Sequence, residues 1–451
     1  MSIRLPAPVE AAIRESGIAC EALSVDGQGP APHATRVRAV LLRDSEGSLV
    51  ALLGAGQLLD LSALARFTGR ELEALPRDCA AFVRLTGSTA EPTAVPGALG
   101  LPTVVDRAVL GAREVLLPSG ATGVWLRCEE LAFRTLLGQA GAASGSFAIE
   151  PDAGDSTASD APDGGGFTAR RLFKRIEDTS DFPPMPEVAQ RILQLSANPD
   201  AGVNELVKVV EMDPALAAQV VSWAASPYYA APGGIASVRD AVFRVLGFDV
   251  VMNLALGLAL GKAMRMPREG RHGYRQYWLR SVRCAAVCDA LCKAMPVGTR
   301  PGSGQGFLAG LLHDFGFLLM AELFKPQFQQ VCRYLDANEA IGHAPVERHV
   351  LGLTREEIAG WLLQAWRVPA GICAAIRHRE QPALAMEHAT LASVLQLASR
   401  LLGEPRAEAL AEIPDALIGQ TGLDRTGLAA VAEQVLGADE ALQALARAIA
   451  A

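Results

Sequence analysis

"AGLLHDFG", residues 309–316, closes an apolar helical run and sets a histidine beside an aspartate. An imidazole nitrogen and a carboxylate oxygen are both ligands for a divalent cation, so His313-Asp314 is the first candidate for chemistry in the chain. A doublet alone is insufficient, because a metal centre needs several donors converging at about 2.0–2.3 Å. The meaning of the stretch depends on what the chain brings to it.

Around the doublet the pattern is helical, with almost no strand signal. "DPALAAQVVSWAAS" opens with Asp213 as an N-cap and Pro214 at the first helical position. "SVRDAVFRVLG" places Val238, Ala241, Val242 and Val245 on one face and stops at Gly247. Helical patterns continue through 276–293, 306–323, 327–338, 355–365, 370–378 and 388–402. These predict an all-α domain over 168–404. An Ala- and Leu-rich helical extension, 405–451, packs on it or serves a partner.

The front of the chain reads differently. "PVEAAIRESG" (8–17) is a short amphipathic helix stopped by Gly17. "RVRAVLLR" and "SLVALLGA" flank the turn "DSEG" and predict a β-hairpin. "LSALARFTG" (61–69) is helical, whereas "AAFVRLTG", "EVLLPSG" and "GVWLRC" read as further short strands. An α+β domain over 1–140 follows. Residues 141–167 are rich in Gly, Ala, Ser, Asp and Pro up to Gly166 and are expected to form a flexible acidic linker with an end-to-end distance of roughly 25–30 Å.

The 451 residues carry 41 Lys plus Arg against 49 Asp plus Glu, a formal −8, which argues against broad non-specific nucleic-acid binding. "MSIRLPAPVEAAIRESG" lacks the apolar region of a secretory signal. The apolar run "VVMNLALGLALG" (250–261) is about twelve residues against the roughly 20 that span a bilayer, so it reads as a core helix. No membrane association is expected. Eight scattered cysteines fit reduced thiols in the cytoplasm.

Two family resemblances rest on these residues. "FPPMPEVAQRILQL" (182–195), "EMDPALAAQVV" (211–221), "DAVFRVLGFDVVMNLAL" (240–256), "FLAGLLHDFG" (307–316) and "LGLTREEIAGWLLQAW" (351–366) occur in the order of the HDOD family's landmarks. The second part of the chain thus resembles HDOD domains, a signalling branch related to the HD phosphohydrolases. It departs from them at Ala225-Ser226, where the family usually has Asn-Ser. Residues 1–138, through "VRAVLLRDSEGSLVALLGAGQLLDLSALARFTGRELEAL" (37–75), "ALGLPTVVDRAVL" (98–110) and "GVWLRCEELA" (123–132), resemble the YbaK/prolyl-tRNA-synthetase editing family, which hydrolyses misacylated tRNA. Together they imply a two-domain protein: an α+β editing-like mixed sheet with helices, then an all-α HD-like bundle.

The resemblances also imply where chemistry would sit. In active HD relatives a histidine before the doublet completes the metal site; its position falls on Arg280. A later aspartate falls on Ser399. Second-metal histidines fall on Arg355 and Arg379, with His378 beside the latter. A guanidinium is always protonated and has no lone pair to give. The expectation is a degenerate site without metal, in which Arg280 and Arg355 neutralise Asp314, since a buried carboxylate without a partner is costly. In the editing family a lysine on the early strand lies near the scissile ester; here the position is Arg38, a planar fork in place of a compact ammonium. The loop "VPGALG" (95–100), with Gly97 and Gly100, is expected to offer backbone N–H donors to a carbonyl or a tRNA terminus.

Other features read as structural. Cys284, Cys288 and Cys292 fall on one helix face without a fourth ligand and suit core packing. "RMPREGRHGYRQYWLR" (265–280) has five arginines, Arg280 among them, in the pattern of a solvated loop or an anion site. "GSGQG" (302–306) lacks the Lys-Ser/Thr of a phosphate loop. Gly257 and Gly261 are spaced for close helix packing. The sequence therefore predicts a bacterial-type, non-catalytic signalling or regulatory protein with protein partners and no cofactor. The competing class is an aminoacyl-tRNA deacylase, with tRNA at the N-terminal domain and the HDOD domain regulating it. The oligomeric state is left open.

Overall fold

The computed structural model describes residues 4–24, 34–151, 184–229, 233–302, 304–402, 410 and 413–450. It divides into two compact units. One contains the described residues of 1–168 together with Gln329–Gly352; the other contains those of 169–328 and 353–451.

In the first unit α1 (Ala7–Ser16) ends at Gly17, whose φ of 64° is the left-handed conformation that glycine adopts without strain. There follow β1 (Glu21–Ser24), β2 (Thr35–Asp44), β3 (Gly47–Gly54), β4 (Leu58–Leu59), α2 (Leu61–Thr68), β5 (Glu73–Ala74), α3 (Ala80–Thr86), β6 (Thr103–Asp106), α4 (Arg107–Leu110), β7 (Glu114–Pro118), β8 (Val124–Glu129), α5 (Glu130–Gln139), β9 (Ala143–Gly145) and β10 (Ala148–Ile149). The mixed sheet runs β1-β8-β7-β2-β3-β6-β9, with β5 also on β2. The expected hairpin is β2–β3, antiparallel from Val37 opposite Gly54 to Asp44 opposite Gly47.

The central strands are apolar at nearly every position because both faces are covered. On β2, Val37, Ala39 and Leu41 enter one core, with Val9 of α1, Phe82 of α3 and Phe133 and Leu136 of α5. Val40 and Leu42 enter the other, with Leu61 and Leu64 of α2, Phe147, and Tyr334, Ala337 and Val346. The last three come from the stretch expected to belong wholly to the helical domain. A separate 1–140 domain is therefore incomplete, because one sheet face takes its cover from far along the chain.

Two further expectations change. "AAFVRLTG" is helix α3, not a strand: the Cys79 side chain accepts from Phe82 N at its start, and left-handed Gly87 stops it. Only Phe82 needs to face the core, so the run of apolar letters carries no two-residue alternation. The linker expected from 141 does not begin there. β9 pairs with β6, Phe147 is buried, and Asp106 accepts hydrogen bonds from the backbones of Phe147 and Ala148 at 2.7 and 2.8 Å. The expected linker beyond 151 lies outside the described residues.

The second unit is helical: α6 (Glu187–Ser196), α7 (Val203–Glu211), α8 (Pro214–Ala224), α9 (Val238–Asp240, continued by a wider turn to Leu246), α10 (Phe248–Lys262), α11 (Tyr274–Ala294), α12 (Gln305–Leu312) and α13 (Phe315–Leu323). α14 (Lys325–Ala337) begins here and runs on into the first unit, which also holds α15 (His343–Leu351). Then come α16 (Arg355–Ala365), α17 (Ala370–Arg377), α18 (Ala389–Leu401), α19 (Asp415–Gly419), α20 (Arg425–Leu436) and α21 (Asp439–Ala450). α11 packs against α12, α18, α20 and α21. Arg283 clamps the described part of the C-terminal extension with a fork onto Asp439 at 2.7 and 2.8 Å. Cys284 and Cys288 are buried in α11 as core residues.

Glycines set the closest helix contacts. A Cβ on Gly257 would lie 2.5 Å from Leu311, and one on Gly261 2.5 Å from Trp278. Gln305–Leu323 is long and apolar enough to cross a membrane by length and composition, yet 89% of it is buried inside the protein.

Candidate functional site

His313 ends α12 and Asp314 opens α13, both within the helical unit. The doublet's position follows from the glycines around it. Gly310 lets α12 meet the backbone of Ala285 on α11, and Gly316 lets α13 meet the carbonyl of Arg355, where a Cβ would fall 1.8 Å from the oxygen. The His313 ring is fixed by its Nδ1, which donates to the Gly310 carbonyl at 2.8 Å.

The Asp314 carboxylate is 4% exposed and is surrounded by cations. Arg280 Nε donates to Oδ2 at 3.1 Å, and Arg355 Nη1 donates to Oδ1 at 3.1 Å. Arg379 Nη1 stands 3.9 Å from Oδ1, and His313 Nε2 3.7 Å from the same oxygen. The Phe317 ring lies under both Arg355 and Arg280, at 4.5 and 5.6 Å from the guanidinium carbons. Arg379 in turn pairs with buried Glu356 and with Glu380 at 3.3 Å. The cluster is thus a network of three guanidiniums against Asp314, Glu356 and Glu380.

Burial by itself would raise the Asp314 pKa. The charges of His313, Arg355, Arg280 and Arg379 outweigh it and hold the carboxyl well below the usual carboxylate range. Burial likewise works against a charged His313 ring, but Cys284 and Asp314 beside it raise its pKa above the ordinary value. His378 ends α17, half-buried, and burial lowers its pKa. Ser399 donates to the carbonyl of Leu395 in its own helix at 3.0 Å.

Of the residues picked out around the doublet, the structure gathers Arg280, His313, Asp314, Arg355 and Arg379, while Ser399 spends its hydroxyl elsewhere. Metal does not fit this donor set: the positions facing Asp314 are guanidiniums, which repel a cation and have no free electron pair. Glu356 and Phe317 were not anticipated. The capping box of Thr354 and Glu357 marks where α16 starts, but it does not say that Arg355 and Glu356 in its first turn are buried.

The second candidate, Arg38 on β2, is also buried at 5% exposure. Its Nη2 donates to Asn338 Oδ1 at 2.7 Å and to the Gln57 carbonyl at 2.9 Å, and Nη1 donates to the Ala337 carbonyl at 3.3 Å. Asn338 also pairs with the backbone of Leu59 in both directions, accepting from its N–H at 2.7 Å and donating to its carbonyl at 3.1 Å. Burial lowers the Arg38 pKa to about 10, with Glu91 opposing and Arg77 adding to the shift. The space beside it, lined by Arg77, Phe82, Glu91, Asp336 and Glu339 among others, is about 30 Å³, room for one or two waters. Gly97 and Gly100 both have positive φ, but the N–H of Gly100 is spent on the Gly97 carbonyl at 3.0 Å. The neighbouring cavity is about 10 Å³. The expected free donor loop is therefore closed on itself at Gly100.

A helical domain built around a buried His-Asp doublet, in a chain that also carries a mixed-sheet α+β unit, defines the class. The HDOD domain model matches residues 182–382. A crystal structure of a candidate signal transduction protein from Marinobacter aquaeolei VT8 is 37% identical, covers 99% of this chain and 100% of its own, and superposes with a TM-score of 0.86. An HDOD domain protein of unknown function from Geobacter sulfurreducens matches 62% of this chain and 97% of its own at 22% identity and TM-score 0.50, a likeness of fold. A structure described as a candidate trans-editing enzyme for prolyl tRNA synthetase aligns with 32% of this chain and 99% of its own, at 18% identity and TM-score 0.27. No curated protein matches. The chain carries an HDOD domain over residues 182–382.

Proposed function

We propose that this protein is a non-catalytic regulator in a signalling pathway, acting through protein contacts and not through phosphodiester hydrolysis. One observation carries the reading: the Asp314 carboxylate is held by the guanidiniums of Arg280 and Arg355, both at 3.1 Å. A carboxylate so neutralised is a structural ion pair and a poor metal ligand. The signalling part is supported by the full-length similarity to the candidate signal transduction protein. The test is metal analysis of the purified full chain together with hydrolysis of bis(p-nitrophenyl) phosphate in manganese. Substoichiometric metal and no turnover are expected; a stoichiometric ion lost on Asp314→Ala overturns the reading.

The competing deacylase reading places its chemistry at Arg38. The engagement of that guanidinium by Asn338 and by the carbonyls of Gln57 and Ala337 argues against it. Misacylated tRNA incubated with the full chain is expected to keep its aminoacyl ester. Deacylation that disappears in Arg38→Ala would restore the enzyme.

A further inference from the structure

We propose that Cys20 and Cys128 form a reversible disulfide, a modification site that clamps the edge of the first unit's sheet. β1 is an edge strand of only four residues, paired antiparallel with β8 so that Glu21 faces Arg127 and Ser24 faces Val124. One step further along the same register Cys20 faces Cys128. Their sulfurs are 2.6 Å apart, so the bonded separation of about 2.05 Å needs only a small side-chain adjustment. The two residues are neighbours across strands, so no backbone segment has to travel for the bond to form.

The pair is asymmetric in a way that suits exchange chemistry. Cys20 is half-buried and open to a small reagent, whereas Cys128 is buried. The contact with Cys128 lowers the Cys20 pKa against the effect of burial, while the same contact and burial raise that of Cys128. Cys20 is thus the attacking thiolate and Cys128 the resolving thiol.

With a low-molecular-weight disulfide such as oxidised glutathione, the Cys20 thiolate attacks one sulfur and expels a glutathione thiolate. The Cys128 thiol then loses its proton, attacks the Cys20 sulfur of the mixed disulfide and expels the second thiolate. Two protein thiols are oxidised by two electrons, one glutathione disulfide is reduced to two thiols, and the protons go to the leaving thiolates.

The bond would tie the N-terminal strand to the core it borders. Cys128 belongs to the core that includes Val9 of α1, and Cys20 packs against the same core. The oxidised form therefore holds α1 and β1 to the sheet covalently.

The test uses the full chain, equilibrated across ratios of reduced to oxidised glutathione, alkylated, digested and read by mass spectrometry. The expected result is a Cys20–Cys128 cross-link that rises with oxidation and disappears with dithiothreitol. An upward shift in melting temperature should accompany it and be absent from Cys20→Ser. Circular dichroism of Cys20→Ser shows whether that variant has folded, and the cross-link in the unmodified chain decides the matter without it. The proposal is overturned if both thiols remain alkylated at a ratio that fully oxidises thioredoxin added as a control. It is equally overturned if Cys20 stops at the glutathione adduct, or if Cys128 joins another cysteine.

Discussion

Asp314 shows how the neighbours of one buried carboxylate set its role: it accepts a hydrogen bond from Arg280 and another from Arg355. Removing it leaves three guanidiniums near one another with Glu356 and Glu380 as counter-charges. Asp314→Ala is therefore expected to destabilise the chain by about 3–5 kcal/mol in urea unfolding, the usual cost of orphaning one side of a buried pair. The pH dependence follows from the depressed pKa of Asp314. A group whose folded pKa lies below its unfolded value of about 3.9 contributes stability above that value and loses it as pH falls through the folded one. Unfolding midpoints measured from pH 5 downward should thus fall more steeply for the unmodified protein than for Asp314→Asn. Equal slopes would show that the pair contributes nothing. Arg280, Arg355 and Arg379 were legible through the family resemblance, which implied their positions beside the doublet. Glu356 was not, since nothing in a single sequence says that an acidic residue in the first turn of a helix faces inward.

At the scale of elements, the readings that succeeded rest on signals carried within the element. Gly17 and Gly69 stop α1 and α2 in the left-handed conformation, and Asp213 caps α8 through the N–H groups of Ala215 and Leu216. The reading of α3 failed because "AAFVRL" has the composition of either element, and its cap is a cysteine rather than a serine or aspartate. β9 was hidden for a related reason. "ASG" has no strand preference and is held by pairing with β6, which lies some forty residues earlier. The turn after α14 makes a stronger demand. Asn338 satisfies Arg38 and both backbone groups of Leu59 at once, and Tyr334 donates to the Asp60 carboxylate that caps α2 at 2.8 Å. Asn338→Ala leaves these buried groups unpaired, at about 1–3 kcal/mol for each one that water cannot reach. A loss of at least about 2 kcal/mol is expected from chemical denaturation. Amide exchange should also speed up at Leu59, and unchanged protection there would contradict the role given to Asn338.

For the molecule as a whole, the boundary that matters is not the one in the sequence. The low-complexity stretch after 150 looks like a division between two independent domains, and by composition it is one. Yet the second core of the mixed sheet is closed by Tyr334, Ala337 and Val346, and Gln329–Gly352 belongs to the same compact unit as residues 1–168. Sequence patterns report which face of an element is apolar but not which distant segment covers it, so this exchange was invisible until the chain was folded. It has a direct consequence for dissection. A fragment ending at 168 would uncover the part of the β2 and β3 face that Tyr334, Ala337 and Val346 cover, and would strip Arg38 of Asn338. A contiguous apolar surface of that kind drives association. The fragment is expected to aggregate or bind a hydrophobic dye at concentrations where the full chain stays monodisperse, and to melt at a lower temperature. Joining Gln329–Gly352 to it through a flexible Gly/Ser linker should raise the melting temperature and reduce dye binding, with Asn338→Ala in the joined segment weakening both effects. A fragment 1–168 that melts as high as the joined form would mean that the sheet closes this face without the later helices.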